Sequence, residues 1–128
     1  MKKFSFRLEK VLKLRQHAEN DAKVELGHAV SSLSRIENKL DAVAAARKNA
    51  GEHRFSGGNS LPYMHSYENY LRRLETEKEQ LLKEAAAAAL EAERARELWT
   101  EARAGLKVME NLKEKKYEAY RKESRPDG

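Results

Sequence analysis

An apolar residue recurs every three or four positions from Leu8 to Ala50. Stepping alternately by four and three residues gives ten apolar positions out of thirteen and an average repeat of 3.5 residues. This repeat keeps one stripe of an α-helix facing a partner helix. The stripe is polar at Arg15 and Glu19, so we expect neighbouring apolar residues to supply the contact and to shift the seam there. These neighbours are Val11, Leu14 and Ala18.

A second stretch, from about Pro62 to Glu123, carries the same repeat, with thirteen of fourteen stripe positions apolar or aromatic. Residues 51–62 separate the stretches and contain three Gly, two Ser, one Asn and one Pro, which is typical of a turn. A loop of this length can reverse the chain. We therefore predict an all-α fold, an antiparallel two-helix coiled-coil hairpin that forms a single domain over residues 1–128. The expected bounds are helix 1 about 4–50, loop about 51–62, helix 2 about 62–123 and tail 124–128.

The position of the turn sets the register of the two helices. A turn near residue 56 pairs positions whose numbers add up to about 113, which places Leu33 opposite Leu81 and Leu14 opposite Trp99. The same register leaves residues 113–124 without a partner in helix 1. We expect another protein to bind at this overhang.

Composition supports a helical protein and excludes several other classes. Ala, Glu, Lys, Arg and Leu make up 77 of the 128 residues, a share typical of coiled coils and long helices. The absence of Cys excludes a disulfide scaffold and a cysteine zinc site. The longest run without a polar side chain, Ala85 to Leu90, is far shorter than a membrane span of about 20 residues. Because no apolar signal core follows Met1, we expect a cytoplasmic protein without a transmembrane segment.

No pattern in the sequence predicts catalysis, a metal site or a cofactor. The four histidines lack ligand spacing, and Gly57-Gly58 is not followed by the Lys-Ser/Thr of a phosphate-binding loop. A nucleophile and its base would have to be assembled on two helices without a cleft between them. We therefore expect a non-enzymatic protein with no catalytic, metal or cofactor-binding residue. The four histidines are His17, His28, His53 and His65.

Positive charge concentrates where a hairpin brings the two termini together. Residues 1–16 and 106–128 carry a net charge of +7, whereas the rest of the chain carries −2. This end is either a solvated helix end or a basic surface for an acidic partner. Its apolar centre, Phe4, Phe6 and Leu8, favours a protein partner over nucleic acid. The surrounding cations are Lys2, Lys3, Arg7, Lys10, Lys13, Lys113, Lys115 and Lys116.

Tyrosines cluster directly after the loop, at Tyr63, Tyr67 and Tyr70. Tyr67 lies on the stripe and could pack the closed end of the hairpin. Tyr70 lies beside the stripe, so it could instead form an exposed aromatic patch for a partner.

Three segments resemble the FliJ family of flagellar type III export proteins. They are Phe4-Ser-Phe-Arg-Leu-Glu-Lys-Val-Leu-Lys-Leu-Arg15, Tyr67-Glu-Asn-Tyr-Leu-Arg-Arg-Leu74 and Lys107-Val-Met-Glu-Asn-Leu-Lys-Glu-Lys-Lys-Tyr117. The resemblance implies a hairpin similar to the central stalk of rotary ATPases, whose joined termini insert into the hexameric ring of the flagellar export ATPase. It also implies contact with the cytoplasmic domain of the export gate, escort of flagellar export chaperones, and a location at the cytoplasmic face of the inner membrane at the flagellar base.

Carried over by motif, the gate-contacting residues of the family fall on Tyr70 and Leu74, with Tyr67 in the same segment. Family members can carry aromatic residues late in helix 1, where this chain has Ala46 and Ala50. The chain thus departs from the family in the helix-1 half of the gate site.

Two other functions are compatible with the sequence. One is a structural coiled coil that dimerises through its own stripe, and the other is a basic nucleic-acid-binding hairpin. A self-contained hairpin predicts a monomer at micromolar concentration, whereas nucleic-acid binding predicts an affinity that falls steeply with salt.

Overall fold

A computed structural model describes residues 3–52 and 61–124 of the chain. Two α-helices, α1 (Glu9–Glu52) and α2 (Leu61–Ser124), pack against each other as an antiparallel hairpin, which confirms the predicted all-α fold. At two of the four helix ends, the charged residues are those that the helix dipole favours. Glu9 lies in the first turn of α1, and Arg121 and Lys122 lie in the last turn of α2, where each charge interacts favourably with the helix dipole.

Helix α1 begins at Glu9, five residues later than the expected start near residue 4. Residues 3–6 are not helical, and the backbone N–H of Glu9 donates to the carbonyl oxygen of Phe6 over 3.1 Å. In a helix, Phe4 and Phe6 would point about 160° apart and could not both face the partner helix. The non-helical backbone lets both rings pack within the hairpin, since Phe6 is buried and Phe4 is half-buried.

The contacts of the chain divide into two compact units. Unit 1 comprises residues 1–27 and 93–128, and unit 2 comprises residues 28–92. The core of unit 1 consists of Phe6, Leu12 and Met109, against which Phe4, Leu8, Leu106 and Leu112 pack. The core of unit 2 consists of Val43, Leu74 and Leu81, against which Ile36, Leu40, Ala46 and Leu71 pack. Among the described residues no side chain is less than 2% exposed, as expected where only two helices cover each other.

The helix register differs from the expected one by about one heptad. In unit 1, Glu19 contacts Trp99 and Glu9 contacts Lys113, so paired residue numbers add up to about 120 rather than 113. A shift of seven residues returns every stripe position to the seam, so the stripe alone cannot distinguish the two registers.

Two expected partners are therefore wrong. Trp99 meets Glu19 rather than Leu14, which is 67% exposed. In unit 2, Leu81 is buried beside Val43 and Leu74, with Ile36 and Leu40 packed against this cluster where Leu33 was expected.

The seam does not shift at its two polar positions. Val11, Leu14 and Ala18, which were expected to replace them, are exposed. Glu19 instead stays half-buried and accepts a hydrogen bond of 3.1 Å from the indole Nε1 of Trp99. The long side chain of Arg15 lies across Gly105, where an added Cβ would be 3.4 Å from its Nη1. A hydrogen bond and a flexible aliphatic stem thus keep polar residues in the stripe.

Neither α1 nor α2 contains a stretch that is apolar enough over 18 residues to cross a bilayer.

Candidate functional site

Both termini contribute to the basic surface, which we call the terminal end and define as residues 3–16 and 106–124 of unit 1. The terminal end holds eleven basic and five acidic residues. Six of the cations predicted to surround this site are exposed. They are Lys3, Arg7, Lys10, Lys13, Lys115 and Lys116. Lys2, which was predicted with them, lies outside the described residues.

One predicted cation is already paired within the chain. The Nζ atom of Lys113 is 2.9 Å from the Oε2 atom of Glu9, and both side chains are 38% exposed. This ion pair joins the start of α1 to the last third of α2. Lys113 therefore contributes to the hairpin as well as to the charge of the surface.

The apolar centre of the terminal end is not exposed as the sequence suggested. Phe6 is only 9% exposed and lies in the unit 1 core, while Phe4 and Leu8 are half-buried and pack against that core. The physical reason is that the segment before α1 is not helical and packs these side chains against the unit 1 core. A partner at this end meets the cations first.

Residues 113–124 are not an unpartnered overhang either. The ring of Phe4 packs edge-on against Tyr117 at 5.2 Å between centroids and lies 5.4 Å from Tyr120. The segment before α1 thus extends along α2 beyond the start of its partner helix. Tyr117 and Tyr120 lie three residues apart beyond Met109, the last stripe position of the second helix, and this aromatic pair was the sequence signal for the contact.

The residues of the tyrosine cluster differ in how far they are exposed to solvent. Tyr70 is 37% exposed, and the guanidinium carbon of Arg73 lies 5.8 Å from its ring centroid. Tyr63 and Tyr67 are half-buried. Leu74 is only 7% exposed and belongs to the unit 2 core, so it offers little surface to a partner.

Small side chains occupy the positions late in α1 where the second half of the predicted gate site would lie. Ala46 is half-buried and packs against the unit 2 core, and Ala50 is also half-buried. Tyr70 is therefore the most accessible of the three residues predicted to contact the gate.

Within residues 3–52 and 61–124, no three acidic or histidine side chains come together as the ligands of a metal ion would. Of the four histidines, His53 lies outside this part of the chain.

Comparison with known proteins connects this architecture to one family. The sequence model of the flagellar FliJ protein family matches residues 4–126, which include both helices and the segment between them. No curated protein and no solved structure matches the chain. A match over nearly the whole length confirms the resemblance found in the three sequence segments. The chain therefore belongs to the flagellar FliJ protein family and is a flagellar export-related protein.

Proposed function

We propose that this protein is a non-enzymatic coupling component of the flagellar type III export apparatus. In this proposal the terminal end binds the hexameric ring of the export ATPase, and the tyrosine cluster contacts the cytoplasmic domain of the export gate. The protein also escorts export chaperones and works in the cytoplasm, at the inner face of the membrane that carries the flagellar base. The observation that carries the proposal is the group of exposed cations at the end of a two-helix hairpin of this family.

Electrostatics favours an acidic partner for the terminal end. Lys3, Arg7, Lys10 and Lys13 are exposed within a short segment in which Glu9 is the one acidic residue. Like charges at this density repel each other, and an acidic surface relieves the repulsion and accelerates association. Screening by salt weakens both effects, because the Debye length falls to about 8 Å at physiological ionic strength.

The structure rules out deletion of residues 1–8 as a clean test. From the sequence alone, that deletion removes about two turns of helix and spares the seam. In the structure it removes Phe6 from the unit 1 core and Phe4 from its contacts with α2. Loss of binding would then follow from loss of structure as well as from loss of charge.

Charge reversal at exposed positions is the better experiment. The variant Arg7→Glu/Lys10→Glu/Lys13→Glu changes the net charge by six without touching a core residue. Its binding to the purified ATPase hexamer would be measured by biolayer interferometry at low and at physiological salt. We expect the dissociation constant to rise at least about tenfold, mainly through slower association.

A matched control places the same charge change in unit 2. Arg35→Glu/Lys39→Glu/Lys83→Glu also replaces one Arg and two Lys that are exposed. We expect this control to bind the hexamer like the natural protein. Equal weakening by both variants would leave only a general effect of net charge, and unchanged binding by both would exclude the terminal end as the binding site.

The gate contact rests on Tyr70. Because its ring is exposed, Tyr70→Ala should weaken binding to the purified gate domain while changing the thermal midpoint little. Leu71→Ala is the neighbouring control, since Leu71 packs against the unit 2 core and its loss should lower the midpoint. If Tyr70→Ala lowered the midpoint as much as Leu71→Ala did, the tyrosine would have a structural role.

The self-dimerising alternative needs an apolar stripe that remains available to a second chain. In this structure the apolar stripes of α1 and α2 pack against each other within one chain, both in unit 1 and in unit 2. We therefore expect multi-angle light scattering to give the mass of a monomer at micromolar concentration, and a concentration-independent dimer would favour the structural coiled coil.

A further inference from the structure

Several large apolar side chains of unit 1 are exposed beside the seam. Leu14, Leu98 and Val108 are 67%, 61% and 65% exposed, and Val11 is 37% exposed. Each of the four directly precedes a stripe position in the sequence. In an antiparallel helix pair, residues with the same offset from the seam lie on the same side of both helices. These four side chains therefore share one side of unit 1.

This side has a strongly apolar middle. We call it the apolar flank, which consists of Val11, Leu14, Ala18, Leu98, Gly105 and Val108. The contacts of Glu9 with Lys113 and of Arg15 with Gly105 place Val11 and Leu14 level with Gly105 and Val108. Ala18 and Leu98 continue the apolar flank away from the terminal end.

The opposite side of unit 1 is entirely polar. It is formed by the residues that directly follow the stripe positions from Leu8 to Ala22 and from Ala95 to Met109. All ten of these residues are charged or carry an amide or hydroxyl group. They are Glu9, Lys13, Gln16, Asn20, Lys23, Arg96, Thr100, Arg103, Lys107 and Glu110. If both sides of the coiled coil faced only water, both could be polar. The difference between the apolar flank and the polar side therefore indicates a role for the apolar flank.

Cations border the apolar flank near the terminal end. Arg7 and Lys10 precede Val11 in the sequence and are exposed, and the exposed Arg15 lies with its guanidinium group against Gly105. Two acidic residues share this side, Asp21 beyond Ala18 and Glu101 between Leu98 and Gly105, so cations predominate only in the part near the terminal end. A second copy of this chain would present the same cations and be repelled, whereas an acidic partner would be attracted.

We propose that the apolar flank binds one amphipathic α-helix of a partner protein. The apolar face of this helix packs on Val11, Leu14 and Val108 as a third helix beside the hairpin, and its acidic residues pair with Lys10 and Arg15. The Arg15 side chain lies over Gly105, which places its guanidinium group beside these apolar anchors. The proposed function rests on the exposed cations of the terminal end, and this site goes beyond it by assigning a partner to the exposed apolar side chains beside them.

The chain contains no cysteine, which permits a direct test with single thiols. Val108→Cys places a thiol on the apolar flank, and Lys107→Cys places one on the polar side only one residue away. The probe is a synthetic 18-residue helical peptide with Leu on one face and Glu along both edges. We expect saturating peptide to slow maleimide alkylation at position 108 at least about tenfold and to leave position 107 unchanged, since a bound helix excludes the reagent from one side only.

Two double variants test which side chains contribute to binding of the peptide. Val11→Ser/Leu14→Ser should weaken the peptide at least about tenfold, because two apolar anchors of the interface are lost. Val30→Ser/Leu90→Ser is the matched control, since these residues of unit 2 are 40% and 56% exposed. The control should bind the peptide normally. Because Val11 and Leu14 lie within the terminal end, binding of both variants to the ATPase ring is measured as well, and a loss confined to the peptide separates this site from the ring contact.

Four results would overturn the proposal. They are no protection at position 108, equal protection at positions 107 and 108, equal protection by a peptide with Lys in place of Glu, and protection by phosphatidylglycerol vesicles but not by the peptide. The third result would reduce the site to nonspecific apolar adhesion, and the fourth would assign the apolar flank to a membrane surface.

Discussion

Replacing Phe6 tests whether the segment before α1 is part of the fold. Phe6 is 9% exposed and packs with Leu12 and Met109 although it lies outside both helices. A phenylalanine in such a position buries roughly 100 Å² more apolar surface than alanine would. At about 25 cal/mol per Å², Phe6→Ala should lower the free energy of unfolding by about 2.5 kcal/mol.

The loss of unfolding free energy caused by Phe6→Ala should be smaller than that of a Phe→Ala change in a thick globular core, which reaches about 5 kcal/mol. Those larger values include an empty cavity that the surrounding structure cannot close. Here no described side chain is less than 2% exposed, so water or a neighbouring side chain can enter the space. The transfer of the ring from protein to water therefore dominates the change.

Urea denaturation would measure this change with two probes. Circular dichroism follows the helices, and the fluorescence of Trp99, the one tryptophan in the chain, follows unit 1. Leu14→Ala is the control, because a side chain that is 67% exposed should change the stability by less than about 0.5 kcal/mol. An equally small effect of Phe6→Ala would refute the packing of this segment onto the hairpin.

Three further substitutions test other parts of the structure. Leu81→Ala should destabilise the protein by about 2 to 4 kcal/mol in urea denaturation, because Leu81 is 5% exposed in the unit 2 core. Gly27→Ala should raise the thermal midpoint, with a gain of up to about 1 kcal/mol, since an added Cβ in this helix interior meets nothing within 4 Å. A lower midpoint would contradict the open surroundings of Gly27. Glu19→Ala should cost about 1 kcal/mol and shift the emission of Trp99, whose indole N–H loses its acceptor. Unchanged emission would place the indole elsewhere.

The fold class could be predicted from the sequence because the 3.5-residue stripe and the turn residues at 51–62 leave few alternatives. The register could not be predicted from the stripe, because moving one helix by seven residues presents an equally apolar seam. The specific contacts that select the register are polar or terminal. The bond between Glu19 and Trp99 and the ion pair between Glu9 and Lys113 depend on side-chain geometry that a hydrophobic pattern does not contain.

The candidate site was predictable where it depends on charge and less so where it depends on burial. Long basic side chains near the chain ends remain in water in almost any helical arrangement, so the exposure of Lys10 and Lys13 followed from the sequence. The exposure predicted for the apolar centre is wrong, because the sequence pattern predicts a helix through Phe4 and Phe6, where the structure has a non-helical segment packed on the core. The burial of Leu74 could be predicted from the sequence, because Leu74 lies on the apolar stripe that the hairpin must bury.

Residues of α1 and α2 that contact each other are farther apart in the sequence when they lie nearer the termini. This difference predicts the order in which the contacts form during folding. Arg47 and Glu75 are 28 residues apart, whereas Glu19 and Trp99 are 80 residues apart. Closing the longer loop first costs about 1 kcal/mol more in chain entropy than closing the shorter one. Once the inner contacts exist, each outer pair needs only a short further closure. The hairpin should thus zip from the connecting segment towards its termini and open in reverse, which makes the basic end the first part to exchange its amide hydrogens.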